Sequence, residues 1–362
     1  MIKKIVLTGG PCAGKTTALA KIEQDLTNLG YKVFVVGESA TELIKGGIRP
    51  FGNSALNIVE FQKIIMLYQY RKEEIYNKVA EQYKNNKVII IYDRGLMDNK
   101  SYINNKEFKE VLTYLSNELG KELTEEDILE RYDLVLHLVT AADGKENNYI
   151  IENNNARTEG IEEAIKLDRK TANSWINHPN LKIIENEQNF NTKIDNVLNN
   201  IHILLNNPIT IRKQLKYKVE IQEDYLNKIK NKYIPSDIEQ IYLKSNIYEE
   251  RIRKLTRDNI TTYYYTKQLK KENGESQVIL NKKITKEEYN IIKNTCEIKD
   301  IITKRRYSFI KNKQYYRLDK YQNNIYILEL EITDRNKEII IPGGISIKEK
   351  NKTKKLEKNI IL

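Results

Sequence analysis

Gly9-Gly10-Pro11-Cys12-Ala13-Gly14-Lys15-Thr16 decides the fold of this chain. The apolar run Ile2 to Thr8 enters it, and a helical pattern from Lys15 to about Leu29 leaves it, so the order is strand, loop, helix. The stretch fits G-x-x-x-x-G-K-[ST] with both flanking elements in place, a context that a bare glycine turn lacks. Glycines let backbone N–H groups curl around a β-phosphate, and the helix N-terminus adds partial positive charge. Lys15 is expected to reach the β and γ oxygens of ATP or GTP, and Thr16 to ligate Mg²⁺, with Gly9 to Thr17 as the nucleotide contacts. Cys12 reads as a tolerated small residue, or as a thiol whose pKa the helix N-terminus lowers.

Further apolar segments at Tyr31 to Val36, Val88 to Tyr92, Leu134 to Val139 and Leu181 to Ile184 alternate with helical patterns such as Ile58 to Tyr83. Alternation of this kind over some 200 residues predicts an α/β fold with a doubly wound parallel sheet. Ligands then gather at the carboxyl ends of strands, where Lys15, Glu38 and Asp93 should converge. Asp93 is placed to hold Mg²⁺ through water or to orient an acceptor. Glu38 occupies a similar position after the second strand, although Ser39 and Thr41 also allow it to be a helix cap. After the fourth strand come Ala141-Ala142-Asp143-Gly144 and Asn155-Ala156-Arg157-Thr158-Glu159, where a phosphoryl-transfer enzyme carries a lid. Arg157 is the candidate to neutralise the transferred phosphoryl group, against a surface salt bridge with Glu159 or Glu163. Asn186 and Lys193 are placed to approach the base.

With 362 residues, 40% of them hydrophobic, the chain has enough apolar mass for one or two cores, which excludes disorder as its main state. No apolar run approaches the ~20 residues of a membrane span, the N-terminus opens on a strand instead of a secretory signal, and two cysteines make no disulfide scaffold. A cytoplasmic location is expected. Up to residue 205 there are 26 Lys and Arg against 29 Asp and Glu, so the +11 net charge becomes −3 there and +14 in the remainder. A basic second domain points to a polyanionic partner, whether a phosphorylated small molecule, polyphosphate or an anionic membrane surface touched peripherally. A plain lysine-rich, solvated surface is the alternative. Nucleic acid is disfavoured, because no recognised module is present and the tyrosines alternate as packing residues do.

Residues 1–205 form the first expected domain, 206–347 the second, and 348–362 a basic tail that frays from about Lys348. Short Tyr-, Ile- and Thr-rich segments fill the second domain: Ile238 to Leu243, Glu250 to Leu255, Thr261 to Leu269, Gln277 to Ile284 and Asn324 to Ile332. They predict an antiparallel sheet or barrel, with a tight turn at Asn273-Gly274 and a helix near Lys286 to Asn294.

Glu38-Ser39-Ala40-Thr41-Glu42-Leu43-Ile44, Asp93-Arg94-Gly95, the Arg157 segment and Trp175 through Ile184 resemble AAA-type ATPases close to nucleoside and nicotinamide-riboside kinases. That resemblance implies Glu38 as general base for an acceptor hydroxyl and Arg94 as a residue that positions acceptor and phosphates. Tyr242, Glu250-Arg251-Ile252-Arg253-Lys254, Tyr265-Thr266, Lys304-Arg305-Arg306, Leu318-Asp319 and Leu328-Glu329-Leu330-Glu331 resemble a CYTH domain, the triphosphate tunnel fold. Both halves together resemble the translocation-defect family of P-loop plus CYTH proteins. It implies a barrel lined by Lys216, Arg251, Arg253, Lys304, Arg306, Glu329 and Glu331, basic groups gripping phosphates and acids holding a divalent cation. This chain departs from the pattern at Arg212 to Lys216, at Ile279 and Asn281 and at Gln268, where metal acids and a lysine are expected. Two-metal hydrolysis is then disfavoured against binding of a phosphorylated ligand. Two readings result for the whole chain, a phosphotransferase and a nucleotide-dependent switch whose basic domain binds a polyanion.

Overall fold

The computed structural model describes residues 2–50, 56–83, 87–144, 160–187, 189–205, 213–245, 248–270, 276–332 and 339–351. It divides the chain into two compact units, Met1–Arg212 and Lys213–Leu362.

The first unit runs β1 (Ile2–Gly9), α1 (Lys15–Asn28), β2 (Lys32–Val36), α2 (Ser39–Lys45), α3 (Ile58–Gln82), β3 (Val88–Asp93), a 3₁₀ turn (Leu96–Tyr102), α4 (Asn105–Leu119), α5 (Glu125–Leu129), β4 (Leu134–Leu138), α6 (Ile161–Ser174), β5 (Leu181–Ile184) and α7 (Phe190–Leu204). Its five strands pair in parallel in the order β2-β3-β1-β4-β5. Helices cover both faces, so the centres of β1 and β3 are apolar: Ile5 to Leu7 and Val88 to Ile91 are fully buried. On α1, Ala18, Ile22 and Leu26 recur every four residues and form one stripe, which meets Ile194, Val197 and Ile201 of α7 over the sheet. Burying side chains such as Ile22 and Leu26 contributes about 1.5–3 kcal/mol each. Because β1 lies between β3 and β4 while β2 is reached across β3, the strand order reverses at β1 and a crevice opens at its carboxyl end. The register Leu7↔Asp93 and Val36↔Tyr92 brings the loop after β1, the residues after β2 and the end of β3 to that edge.

The second unit contains β6 (Lys213–Ile221), α8 (Glu223–Lys232), β7 (Ser236–Leu243), β8 (Tyr248–Arg257), β9 (Ile260–Lys270), β10 (Ser276–Ile284), α9 (Lys286–Thr295), β11 (Ile298–Lys311), β12 (Gln314–Lys320), a 3₁₀ turn (Gln322–Asn324), β13 (Tyr326–Ile332) and β14 (Ile345–Asn351). All its ladders are antiparallel. The expected barrel is corrected to a nine-stranded sheet in the order β10-β9-β8-β7-β11-β12-β13-β6-β14, with β10 and β14 as its two edges. The physical reason is that β14 pairs with β6 and β10 with β9, and among the described residues no ladder joins β14 to β10. Residues 348–351, placed in the tail by sequence, continue β14 along β6 as far as Asn351↔Lys216. Asn273-Gly274 lies outside the described residues. One face of the sheet is apolar: Tyr217, Phe309, Tyr316, Leu318 and Leu328 pack with Ile229 of α8, and Ile241 and Ile252 with Tyr289 of α9.

Candidate active site

The phosphate loop is held from behind by side chains that start far away in sequence. Gly9 has φ 142°, and a side chain there would meet the Leu138 carbonyl oxygen at 2.1 Å, so only glycine lets β1 run this close to β4. Asp168 of α6 accepts from the Gly10 N–H at 2.7 Å and from the Thr140 N–H at 3.1 Å through the same Oδ1, with His137 Nε2 at 3.3 Å. Burial alone works to raise the Asp168 pKa, but His137 and these N–H groups hold it below the usual value. The Thr140 hydroxyl donates to the Pro11 carbonyl. Lys193, buried on α7, donates to the carbonyls of Ala13 at 2.9 Å and Val139 at 2.7 Å and to Asn186 Oδ1 at 2.8 Å. Asn186 in turn donates to Thr140 O at 2.7 Å and Asp143 O at 3.0 Å. Sequence reasoning placed Asn186 and Lys193 toward the base; the structure makes them braces, because an ammonium buried among three acceptors stays there.

Gly10 gives a direct test. An added Cβ would come within 2.8 Å of the Asp168 Cβ and Oδ1, so Gly10→Ala forces the loop off its anchor. Overpacking of this kind costs about 1–3 kcal/mol. Nucleotide affinity is expected to weaken roughly 5- to 150-fold, with a lower Tm, read by titration and thermal melting; unchanged affinity would show that the anchor is dispensable.

At the front of the loop, Lys15 Nζ donates to the carbonyls of Gly9 at 3.2 Å and Gly10 at 3.1 Å. Burial and then the Arg94 charge lower its pKa to about 8, against the pull of Glu38 and Asp93. Asp93 closes β3; burial pushes its carboxyl up against the pull of Lys15, and its Oδ1 is buried with no hydrogen-bond partner. An orphaned carboxylate oxygen beside the phosphate loop, with the exposed Thr16 at the loop's end, fits a hard divalent cation such as Mg²⁺.

Glu38 stands at the N-cap of α2, yet its side chain makes no capping bond to the backbone. Instead Oε1 accepts from Arg94 Nε at 2.5 Å and Oε2 from Thr41 Oγ1 at 2.7 Å. Burial opposes its ionisation, but Arg94, Lys15 and the two donated hydrogen bonds hold the carboxyl at about 2. Arg94 takes φ 70° directly after β3, donates its own N–H to Leu7 O at 3.0 Å, and carries a buried Nη1 without a partner. Gln69 of α3 fixes the Arg94 carbonyl at 3.2 Å and is itself bonded to Glu73 and Asn99. Beneath this lies Asp98, which accepts from the Thr8 hydroxyl, the Gly95 N–H at 2.7 Å and Trp175 Nε1 at 3.2 Å. Lys15, Glu38, Asp93 and Arg94 are thus brought to one crevice, while Arg157 lies outside the described residues.

The sequence did not single out Asp168 or Asp98 as supports. A signal for Asp168 exists: it lies in the buried stripe Ala164, Asp168, Thr171, Ala172 of α6, where a carboxylate needs a partner.

The model of the AAA domain family matches residues 4–193, slightly over half of the chain. The chain belongs to the AAA domain family. Within it this AAA domain carries the phosphate loop and the Glu38–Arg94 pair described above. No curated protein matches the chain. Among solved structures, it is similar to deoxyadenosine kinase from M. mycoides, at 18% identity over 55% of this chain and 99% of that one, with a TM-score of 0.37. An inorganic triphosphatase is 17% identical over 39% of this chain and 87% of its own, with a TM-score of 0.29. A conserved hypothetical protein from Pyrococcus furiosus is 17% identical over 42% and 86%, with a TM-score of 0.27. TM-scores this low carry no functional inference, and the chemistry rests on the chain's own residues.

In the second unit the register puts Lys216, Glu329 and Arg317 side by side across β6, β13 and β12. It also sets Asp319 opposite Arg306, and Gln240 between Arg253 and Ile302. Lys304, Arg251 and Arg253 alternate onto this same face, away from the apolar one. Glu331 pairs with Gln214 on β6, and its side chain lies outside the described ones. Among the described residues no helix is long and apolar enough to cross a membrane, and no three His, Cys, Asp or Glu gather as a metal cluster.

Proposed function

We propose that the first unit is a Mg²⁺-dependent phosphotransferase that uses ATP or GTP and serves a small nucleoside-like or phosphorylated acceptor. In this reading the second unit is a divergent CYTH-like module that binds a phosphorylated ligand. The observation that carries the proposal is the ionised Glu38, fixed by Arg94 and Thr41 at the same sheet edge as Lys15 and Asp93. Lys15 and the loop N–H groups hold the β- and γ-phosphates. Glu38 takes the acceptor's hydroxyl proton as the acceptor oxygen bonds to the γ-phosphorus, and the bond to the β,γ-bridging oxygen breaks to release the diphosphate. The free Arg94 Nη1 donates to the acceptor or to the transferred group. Thr16 and Asp93 would hold Mg²⁺, which would supply positive charge to the phosphates. Most of the rate comes from positioning and electrostatics.

A second reading, the nucleotide-dependent switch, draws on a specific observation: both Glu38 oxygens are occupied, and a carboxylate at about 2 is a weak base until the Arg94 contact opens. Turnover of ATP and GTP by the full chain with Mg²⁺, alone and with nucleosides and small phosphate acceptors, separates the two. Acceptor-dependent turnover that falls roughly 10²–10³-fold in Lys15→Ala supports the phosphotransferase. Tight binding with slow, acceptor-independent turnover supports the switch, and absence of nucleotide binding sinks both.

A further inference from the structure

Of the acids from which the CYTH resemblance expects a divalent-cation site, Glu329 is described, and it and the neighbouring Asp319 are both occupied. Asp319, 1% exposed, accepts from Arg306 Nε at 2.6 Å through Oδ1 and from Arg306 Nη2 at 2.7 Å through Oδ2. Lys304 Nζ lies 2.8 Å from Oδ2 as well. Glu329, also buried, accepts from Arg317 Nη1 at 2.9 Å through Oε1 and from Arg306 Nη2 at 3.2 Å through Oε2. Every carboxylate oxygen of the pair thus faces a side-chain cation, and a bound Mg²⁺ would have to displace arginine from it while sitting next to Lys304, Arg306 and Arg317. Paired in this way, Asp319 and Glu329 do not fit a metal.

Arg251 and Arg253 of this face have no carboxylate partner among the described residues. Arg251 Nε is buried without a hydrogen-bond partner. Two residues along β8, the Arg253 guanidinium donates, among the described residues, to the neutral Gln240 Oε1 at 3.3 and 3.1 Å. Burial, then Arg251 and Arg306, lower its pKa to about 10, the direction produced by like charges crowded together without a counter-ion.

We propose that this face binds the phosphate group of a multiply charged phosphorylated ligand directly on Arg251 and Arg253, without a divalent cation, while Arg306, its Nε and Nη2 taken by Asp319 and Glu329, is a neighbouring positive charge and not a phosphate ligand. Guanidinium groups match phosphate oxygens in bidentate geometry. This rests on the reading that the second unit binds a phosphorylated ligand, and adds how it does so. The same chemistry serves a free oligophosphate or a phosphomonoester headgroup on a membrane.

The test uses the full chain with Lys15→Ala, which weakens the phosphate loop as a competing site. Inorganic tripolyphosphate is titrated by calorimetry in EDTA and in Mg²⁺, with Arg251→Gln as the variant and its melting curve as the check on folding. Affinity in EDTA is expected to equal or exceed that in Mg²⁺, because the cation masks phosphate charge, and Arg251→Gln is expected to weaken it roughly tenfold, the loss of one charge-assisted contact of about 1.5 kcal/mol. Vesicles of phosphatidylcholine with and without phosphatidic acid then distinguish the sources: co-sedimentation that needs phosphatidic acid and is lost in Arg251→Gln assigns a headgroup, while tripolyphosphate binding alone assigns a free phosphate. Binding seen only with Mg²⁺ overturns this inference and leaves the ligand-binding reading standing. Equal affinity in the folded Arg251→Gln variant overturns the assignment of the site, and binding of neither probe overturns both readings of the second unit without touching the turnover assay of the first.

Discussion

Exchange of Glu38 for Gln is expected to lower kcat roughly 10²–10⁴-fold, the loss typical of a positioned general base, while nucleotide affinity stays within about twofold. The amide keeps the size of the carboxylate and can still accept from Thr41, but it cannot take a proton or neutralise Arg94. Stopped assays for turnover and a separate nucleotide titration resolve the two quantities. A parallel loss of affinity would instead mark Glu38 as part of the nucleotide pocket. The pH dependence sharpens this. Since Glu38 is held at about 2, it is ionised throughout the neutral range, and kcat/KM shows no acid limb from it above pH about 4. Lys15, lowered to about 8, loses its proton as pH rises through that value, so kcat/KM for nucleotide falls about tenfold per pH unit above it. Lys15→Arg should carry this alkaline limb upward, whereas a limb that stays in place belongs to another group.

Asp319→Ala is expected to destabilise the second unit by about 3–5 kcal/mol, the cost of removing one partner from a buried ion pair. The carboxylate is almost wholly enclosed and faces Arg306 on both oxygens and Lys304 on one, so its loss takes the nearest counter-ion from both cations and leaves Arg306 with Glu329 at 3.2 Å. Denaturant melting followed by tyrosine signals of this unit measures the change, and a loss within about 1 kcal/mol would mean that water screens the pair. The sign of the pH effect is fixed by the direction of the shift. Burial works to raise the Asp319 pKa, but Arg306 and Lys304 hold it at about 2, below the value of 3.8 expected when unfolded. Its contribution is therefore fully present above about pH 4 and is lost as pH falls through about 2. Asp319→Ala lacks that contribution at every pH, so its stability falls less steeply over this interval than that of the unaltered chain.

What was legible in the sequence is what lies close together in it. Gly9 to Thr16 signals its own shape, since the glycines, the lysine and the flanking apolar runs all fall within a few residues. Asp93 and Glu38 were legible one step further out, because strand ends in a parallel sheet share an edge. Asp168 and Lys193 were not, since they meet the phosphate loop across 158 and 180 residues of chain. Lys193 in particular looked like a ligand group because it is a lysine after a strand, and only packing shows that three carbonyl-type oxygens enclose it. Strands β6, β12 and β14 were also missed, and of β11 only the alternation of Lys304 and Arg306 was read. Lys304-Arg305-Arg306 and Arg317-Leu318-Asp319 put charge on a buried face, so the apolar-polar alternation that marks a strand is absent there. Closure of the sheet depends on which edges pair, a property of the whole unit that no local pattern encodes.

The anchors behind the phosphate loop bear on how fast and how tightly a nucleotide is captured. Asp168 holds the Gly10 amide, Thr140 the Pro11 carbonyl and Lys193 the Ala13 carbonyl through contacts made by the protein itself. A loop braced from behind in this way surrenders less conformational entropy on association than an unbraced one, so more of the contact energy survives as affinity. The Gly10 N–H, already donating to Asp168, also points away from the ligand, which leaves the amides further along the turn and at the start of α1 to wrap the β-phosphate. Capture should then resemble a key entering a fixed lock, with an association rate limited by encounter instead of by loop rearrangement.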